Sequence, residues 1–458
     1  MPDSMLSVRS LMKRAMGAPS RARPAFRALR GRGLDRSSHP DRPGLGHHLR
    51  PFEGPRRLAR QPSLEPGLAE GTVGEQANAG DPNQYLGLVL FCWDTYFAGY
   101  LASLDDKELG YANVIEITRE RTAAGFVPMW YRSLGSGIRT EDRSQPPVGS
   151  LVTREIYRRY REPWFLAEIF DDLLAWNRWW AAARRNQGYL SWGSVPYAPV
   201  VGFPWEKRGV GDHFGAVLES GMDNLPVYDD VPYNPKTHLL ESASVGLMSL
   251  YVADCDALAD IAAVLERGAE ETELRARGSE FRKKLGELWD EGRGLFLDRR
   301  TDTGEFVPRI SPVSFYPLMA GAATPAQAER MIREHFENPA EFAGDWILPS
   351  ISRSDPAYKD NAYWRGRIWA PLNFLVYLGL RKYDLPQPRA ELARKSEALL
   401  RKEWIEKGHV HENYNADTGE GCDVTSSDRF YHWGGLLGIP ILMEKGLLAG
   451  PETPLAKR

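Results

Sequence analysis

Cysteine is scarce: Cys92, Cys255 and Cys422 are the only three in 458 residues. Odd in number and far apart, they offer neither a disulfide framework nor the close spacing of a zinc knuckle, and a reducing compartment is expected. No apolar run reaches the roughly 18 residues of a membrane-spanning helix, and no apolar stretch of signal-peptide length follows the early arginines. A soluble, cytoplasmic protein is therefore expected. A dominant charge sign is missing too, the formal net charge being only -3. That small sum hides an asymmetry. Residues 1–60 hold fourteen Lys/Arg and four Asp/Glu, a balance of +10, so the remainder sums to -13. An acidic body argues against a nucleic-acid surface, and neither a nucleic-acid nor a membrane partner is expected.

What the chain does have is core-forming material. Hydrophobic residues make up 42% and aromatics 11%, which excludes a disordered or fibrous chain. Residues 1–82 are rich in Arg, Pro, Gly and Ser without sustained apolar periodicity, and read as a largely disordered basic extension with a short helix near Ser7–Met16. Residues 83–447 read as one folded domain, and 448–458 as a flexible tail. Across the domain, apolar residues recur at helical spacing in segments near 84–104, 110–124, 146–160, 163–186, 237–264, 270–290, 312–321, 324–337, 363–383, 389–407 and 429–446. Strand-like patches are few and short. Eleven helices approach the twelve of an all-α (α/α)6 toroid, in which an inner ring is wrapped by an outer one. Two long loops, about 187–236 and 338–362, carry aromatics, glycine and carboxylates, and loops of that length in a compact domain are more often functional than idle.

Four strings carry candidate chemistry. In LESGMDNLPVYDD, Leu218 to Asp230, Asp223 follows glycine and methionine and precedes Asn224. A carboxylic acid that donates a proton near neutral pH needs desolvation, which a loop at a pocket mouth supplies. An isolated Asp-Asn is otherwise an ordinary turn or cap. In HVHENYNADTGEG, His409 to Gly421, Glu412 sits among His and Tyr donors that can keep a carboxylate ionised to polarise a water. The alternative is a surface glutamate at a helix-to-turn junction. DNAYWRGRIWAPLNF, Asp360 to Phe374, and FCWDTYF, Phe91 to Phe97, combine indole faces with carboxylates, the apolar face and polar edge of a carbohydrate site. Tryptophan at helical spacing is otherwise core. Two distant carboxylates in aromatic-lined loops are what hydrolysis of a glycosidic bond requires: one protonates the leaving oxygen and the other activates water.

The chain resembles glycoside hydrolase family 63, in the branch of the mannosylglycerate and glucosylglycerate hydrolases, and more loosely the trehalases. The resemblance rests on five motifs in order: Trp93-Asp94, Ser144-Gln145-Pro146-Pro147, Glu219-Ser220-Gly221-Met222-Asp223-Asn224, Tyr363-Trp364-Arg365-Gly366 and Glu412-Asn413-Tyr414-Asn415. It implies an (α/α)6 barrel and an inverting α-glycosidase without cofactor or catalytic metal, acting on a small carbohydrate. Asp223 would be general acid and Glu412 general base, with Trp93, Asp94, Gln145, Tyr363, Trp364, Trp369 and Trp433 at the sugar. The family's first barrel helix is not visible in the Arg/Pro-rich stretch before Trp93, so the toroid is expected with that helix missing or degenerate. A further departure is Ser427 or Asp428, where relatives often carry Gln or Glu. Arg365 and Arg367 read as salt-bridge residues. Three rivals stay open: a catalytically impaired sugar-binding protein on the same toroid, a trehalase-like enzyme, and a toroidal lyase or epimerase using His213, His409, His411 or His432.

Overall fold

A computed structural model describes residues 89–132, 139–197, 209–383, 385–453 and 455. The expected basic extension and the helix near Ser7–Met16 lie outside the described residues, as does any first barrel helix before residue 89.

Two kinds of helix alternate along the chain, and burial tells them apart. In α1 (Cys92–Ala102) and α10 (Ala370–Leu380) every residue is buried, the mark of a helix surrounded by protein. By contrast α7 (Gly268–Gly286) buries only Leu274, Gly278, Phe281 and Leu285, one stripe at helical spacing, so its other faces meet water. The buried kind forms a closed ring of six segments: α1, α3 (Gly149–Tyr160), α6 (Val245–Val264), the 3-10 turn Pro312–Phe315 with α8 (Tyr316–Ala320), α10, and the 3-10 turn His432–Gly438 with α12 (Ile439–Glu444). Each packs on the next, and the last packs on α1. Outside lie α2 (Lys107–Arg119), α4 (Pro163–Ala183), α7, α9 (Pro325–Met331) with its π-helical continuation Ile332–Phe336, and α11 (Pro386–Lys407). The fold is the (α/α)6 toroid, with six inner and five outer segments among the described residues.

Local signals set several boundaries. Ser244 caps α6 through Leu247 N, and Thr324 with Gln327 forms a capping box on α9. Gly408, at φ 77, ends α11 in the left-handed conformation. None of the described helices is long and apolar enough to cross a membrane.

Several expected helices begin later than their periodicity suggests. Within 84–104, residues Val89–Phe91 form a strand (β1) paired antiparallel with Trp130–Arg132 (β2), and the helix starts at Cys92. Within 237–264, Leu239–Leu240 and Ser242–Ala243 pair with Tyr233–Asn234 and Arg299–Arg300, delaying the start to Val245. Within 363–383, Tyr363 and Gly366 take φ 58 and 94, which a right-handed helix cannot hold, so α10 starts at Ala370. Within 429–446, the glycine-bearing stretch His432–Gly438 winds as a 3-10 turn, and the α-helix starts at Ile439. One helix was not anticipated: α5, His213–Glu219, inside the long loop 187–236. Its N-cap Asp212 accepts from Gly215 N, and it ends where the first candidate carboxylate loop begins.

These starts place the candidate residues together. Asp94 lies in the first turn of α1, Gln145 precedes α3, Trp369 is the N-cap of α10 and Trp433 lies in the 3-10 turn before α12. The site thus gathers around N-terminal ends of inner segments, where unpaired N–H groups favour negative charge.

Candidate active site

The loop carrying Asp223 is anchored by a residue whose role was not legible beforehand. Glu219 is fully buried and accepts from Arg184 Nε at 2.6 Å and Nη2 at 2.7 Å, from Ser144 N at 2.9 Å and from Gly193 N at 2.7 Å. Four donors thus fix both oxygens of one carboxylate, and through Ser144 they tie the loop to the segment that bears Gln145. Gly221 follows at φ 68, where a Cβ would stand 2.8 Å from Trp93 Cε2, so both the backbone turn and the indole contact require glycine. Asp223 is half-buried. Its neighbour Asn224 is bolted to the next loop: Asn224 Oδ1 accepts from Trp364 N at 2.8 Å, and Nδ2 donates to Ala362 O at 3.2 Å.

That loop, Ala362–Arg365, reaches the second carboxylate. Tyr363 Oη donates to Glu412 Oε1 at 3.0 Å, and Trp433 Nε1 donates to the Glu412 carbonyl at 2.8 Å. The backbone around Glu412 is held on both sides, by Ile368 pairing with Tyr414 and by Glu412 N donating to Asp428 O at 2.8 Å. Burial, as the largest cause, pushes the Tyr363 phenol well up in pKa, and the charges of Glu412, Asp223 and Asp94 add to it. One tyrosine is therefore within electrostatic reach of both candidate carboxylates.

Glu412 is buried, and its pKa is pushed well above the ordinary range, by desolvation first and then by the Asp428 charge, while the Tyr363 hydrogen bond pulls it down. The donor is Tyr363 and not the His and Tyr of the string His409–Gly421: the Tyr414 hydroxyl accepts from His411 N, and His411 faces Glu403. Asp94 accepts from Tyr431 Oη at 2.5 Å, yet burial still lifts its pKa to about 7.

The tryptophans pack on one another. Trp364 and Trp369 stack with centroids 3.6 Å apart and planes at 8°, and Trp93 and Trp433 meet edge-on at 5.8 Å. Trp93 also lies 6.1 Å from Trp364, and its backbone N–H donates to Gln145 Oε1 at 3.2 Å. All four indoles are 3% exposed or less, so they pack as core beneath the loops. Arg365 pairs with Asp360 and Asp229, and Arg367 with Asp423.

The histidines do not converge on the carboxylates. His213 Nε2 lies 3.1 Å from Tyr228 O, while His411 Nδ1 meets Glu403 at 2.9 Å. His432 does reach the site, contacting the Asp94 carbonyl at 2.8 Å, but burial pushes its pKa down to about 4 and keeps it neutral. A metal-compatible acidic group, Glu403, Glu406 and Glu420, lies among the described residues, but Lys402 and Lys407 occupy it: Lys402 Nζ lies 3.0 Å from Glu403 and Lys407 Nζ 2.6 Å from Glu420.

A stability prediction arises from Asp94. Its folded pKa is raised, so between about pH 4 and 7 the folded state binds more protons than the unfolded one, and rising pH costs stability through this group. Asp94→Asn removes that cost. Chemical denaturation should show the variant gaining on the parent at pH 8 relative to pH 4.5, and equal differences at the two values would contradict the assignment.

Comparison with known proteins finds relatives among the glycoside hydrolases. Mannosylglycerate hydrolase MGH1 of Selaginella moellendorffii is 23% identical over 61% of this chain and 62% of its own length. The chain thus spans less than two thirds of that relative. Glucosylglycerate hydrolase of Mycolicibacterium hassiacum is 27% identical over 63% of this chain and 72% of its own. The crystal structure of a GH63 mannosylglycerate hydrolase from Thermus thermophilus in complex with glucose superposes with a TM-score of 0.63, at 21% identity, over 79% of this chain and 95% of that one. Its sequence likeness is low, and it supports the fold alone. The profile of the mannosylglycerate hydrolase MGH1-like glycoside hydrolase domain matches residues 89–434, from β1 to the 3-10 turn bearing Trp433, and the chain belongs to that family.

Proposed function

We propose that the chain hydrolyses a small α-linked glucoside or mannoside by single displacement, with Asp223 as general acid and Glu412 as general base. The observation that carries this is the bridge between the two carboxylate loops: Tyr363 donates to Glu412 and feels the Asp223 charge, while Asn224, next to Asp223, is bonded to both sides of Tyr363. In an inverting enzyme the acid protonates the departing oxygen and the base draws a proton from water on the opposite face of the sugar, with roughly 6.5–9.5 Å between the carboxyl groups. Trp93, Asp94, Gln145, Tyr363, Trp364, Trp369 and Trp433 bind the sugar, the indoles supplying apolar faces and Asp94 and Gln145 the polar edge. Asp94 accepts from Tyr431, and a sugar hydroxyl donating to the same carboxylate would stabilise its charged form.

The names of the relatives point to mannosylglycerate and glucosylglycerate as substrates to test first. Residues 83–447 constitute the catalytic domain in this reading, and the cytoplasm is the location consistent with three unpaired cysteines. The test is incubation of the purified protein with glucosylglycerate, mannosylglycerate, trehalose and kojibiose, following the first-formed sugar by proton NMR. The expected product from an α-linked substrate is the β-anomer. From glucosylglycerate or mannosylglycerate, whose leaving group has no anomeric centre, initial α-anomer would reject single displacement, an unsaturated product would identify a lyase, and binding without turnover of any sugar would favour the sugar-binding alternative.

A further inference from the structure

A general base must be ionised, yet three features oppose the charge on Glu412: full burial, the Asp428 carboxylate on the following segment, and Asp94 on α1. Two buried phenols also face it, Tyr363 from the 362–365 loop and Tyr431 from the turn before α12. Tyr363 supplies one hydrogen bond, to Oε1. The other oxygen faces a different residue. Asn413 Nδ2 lies 3.5 Å from Glu412 Oε2, at the long limit of a hydrogen bond, and donates more closely to Ser426 O, at 2.6 Å.

The orientation of the Asn413 amide is forced by its partners. Ser426 O can only accept, so the nitrogen must face it. Arg367 Nε can only donate, and it bonds Asn413 Oδ1 from the other side. Arg367 is itself completely buried and fixed in place. Its Nη2 donates to Asp423 Oδ1 at 2.5 Å, and its Nη1 to Asp423 Oδ2 at 3.2 Å and to Asn361 Oδ1 at 2.9 Å. Asp423 accepts in turn from Asn415 Nδ2 at 3.0 Å. Burial, the largest single cause, would raise the Asp423 carboxyl, but the hydrogen bonds from Arg367 and Asn415 with the Arg367 charge together hold it below the usual carboxylate range. A permanently charged fork thus stands one side chain behind the candidate base, on the side away from Tyr363.

We propose that Arg367 and Asn413 act as a positioning relay that keeps Glu412 in its carboxylate form and turns its Oε2 edge toward a donor. Arg367 supplies the positive charge and locks the amide, and Asn413 presents N–H to the base. Neither residue is asked to transfer a proton. The relay deepens the reading of Glu412 as general base and depends on it.

The test is the pH profile of kcat/KM on the α-glycoside hydrolysed by the wild type. Catalysis is lost on the acid side as the base is protonated, so weakening the relay moves that limb upward. Arg367→Met is expected to shift it by about one pH unit, giving roughly tenfold lower kcat/KM below the limb and less than about twofold change on the plateau. Arg367→Lys restores charge without the planar fork and should recover part of the shift. A merely structural arginine would instead lower activity evenly across pH. An Arg367→Met protein with wild-type circular dichroism and an unmoved limb overturns the relay. Should that variant fail to fold, Asn413→Ser, which removes the amide N–H at the end of the network nearest the base, carries the same expectation and the same refutation. Infrared difference spectra between wild type and Glu412→Gln read the Glu412 carboxyl against pH without turnover, and an Arg367→Met background that leaves its titration unchanged also overturns the proposal. The parent reading fails separately: if Glu412→Gln retains turnover, Glu412 is not the base whatever the relay does.

Discussion

Glu412→Gln and Asp223→Asn are each expected to lower kcat by about 10²–10⁴-fold, the range general acid–base catalysis contributes, while leaving the fold intact. Both replacements keep the shape of the side chain. In Glu412→Gln the amide oxygen would still accept from Tyr363, and removing a buried, charge-crowded carboxylate should not cost stability. In Asp223→Asn the new amide keeps the shape of the carboxylate in a half-buried loop that Glu219, Gly221 and Asn224 hold in place. The two variants should differ in how they are rescued. Loss of the acid matters least for a substrate whose leaving group needs no proton, so Asp223→Asn should recover on an activated aryl glycoside while Glu412→Gln does not. In Glu412→Ala the vacated space admits azide, and the rescued product should carry inverted anomeric configuration. Steady-state kinetics on both substrate types checks the assignment, and near-wild-type turnover in either variant on a natural-type glycoside would overthrow it.

Why the sequence disclosed some of this and not the rest follows from where the information resides. The toroid was readable because helix periodicity is local, and segments apolar on every face, such as Cys92–Ala102, can only be surrounded by others. The late starts of α6 and α10 were hidden because two-residue strand pairs and positive-φ turns depend on partners remote in sequence. Ser242–Ala243 is extended because Arg299–Arg300 lies beside it. The motif Tyr363-Trp364-Arg365-Gly366 looked like a helix start and is a loop, and that loop lets Tyr363 swing to Glu412 while Asn224 holds Trp364 from behind. At the site, Asp223 and Glu412 stood out because they fall in motifs that resemble those of a known family; alone, each reads equally as a turn or surface carboxylate. Arg184 was silent: an arginine at the end of a tryptophan-rich helix carries no sign that it will pair with a glutamate 35 residues on. Tyr431 was visible as an aromatic, but its bond to Asp94 spans 337 residues and exists only once the ring of helices closes.

The buried pair Arg184–Glu219 is expected to give a large stability effect. Both side chains are completely buried, and Glu219 serves two backbone N–H groups besides the guanidinium. Glu219→Gln leaves a buried arginine without its counter-charge, and breaking such a pair from one side costs about 3–5 kcal/mol. That is a large share of the roughly 5–15 kcal/mol that separates folded from unfolded proteins, so urea denaturation should show a much lower midpoint or the variant should fail to accumulate as soluble protein. Arg184→Met should be similarly damaging, since it leaves the carboxylate buried. The double variant Glu219→Met, Arg184→Met removes both charges and should be less destabilised than the two single effects summed. It should not return to wild type, because Ser144 N and Gly193 N then lose their acceptor inside the protein. Since Ser144 precedes Gln145 and Glu219 begins the turn to Asp223, the folded fraction of each variant should also turn over more slowly, through displacement of the acid rather than loss of the base. A Glu219→Gln protein with an unchanged denaturation midpoint would show that the loop does not depend on this pair.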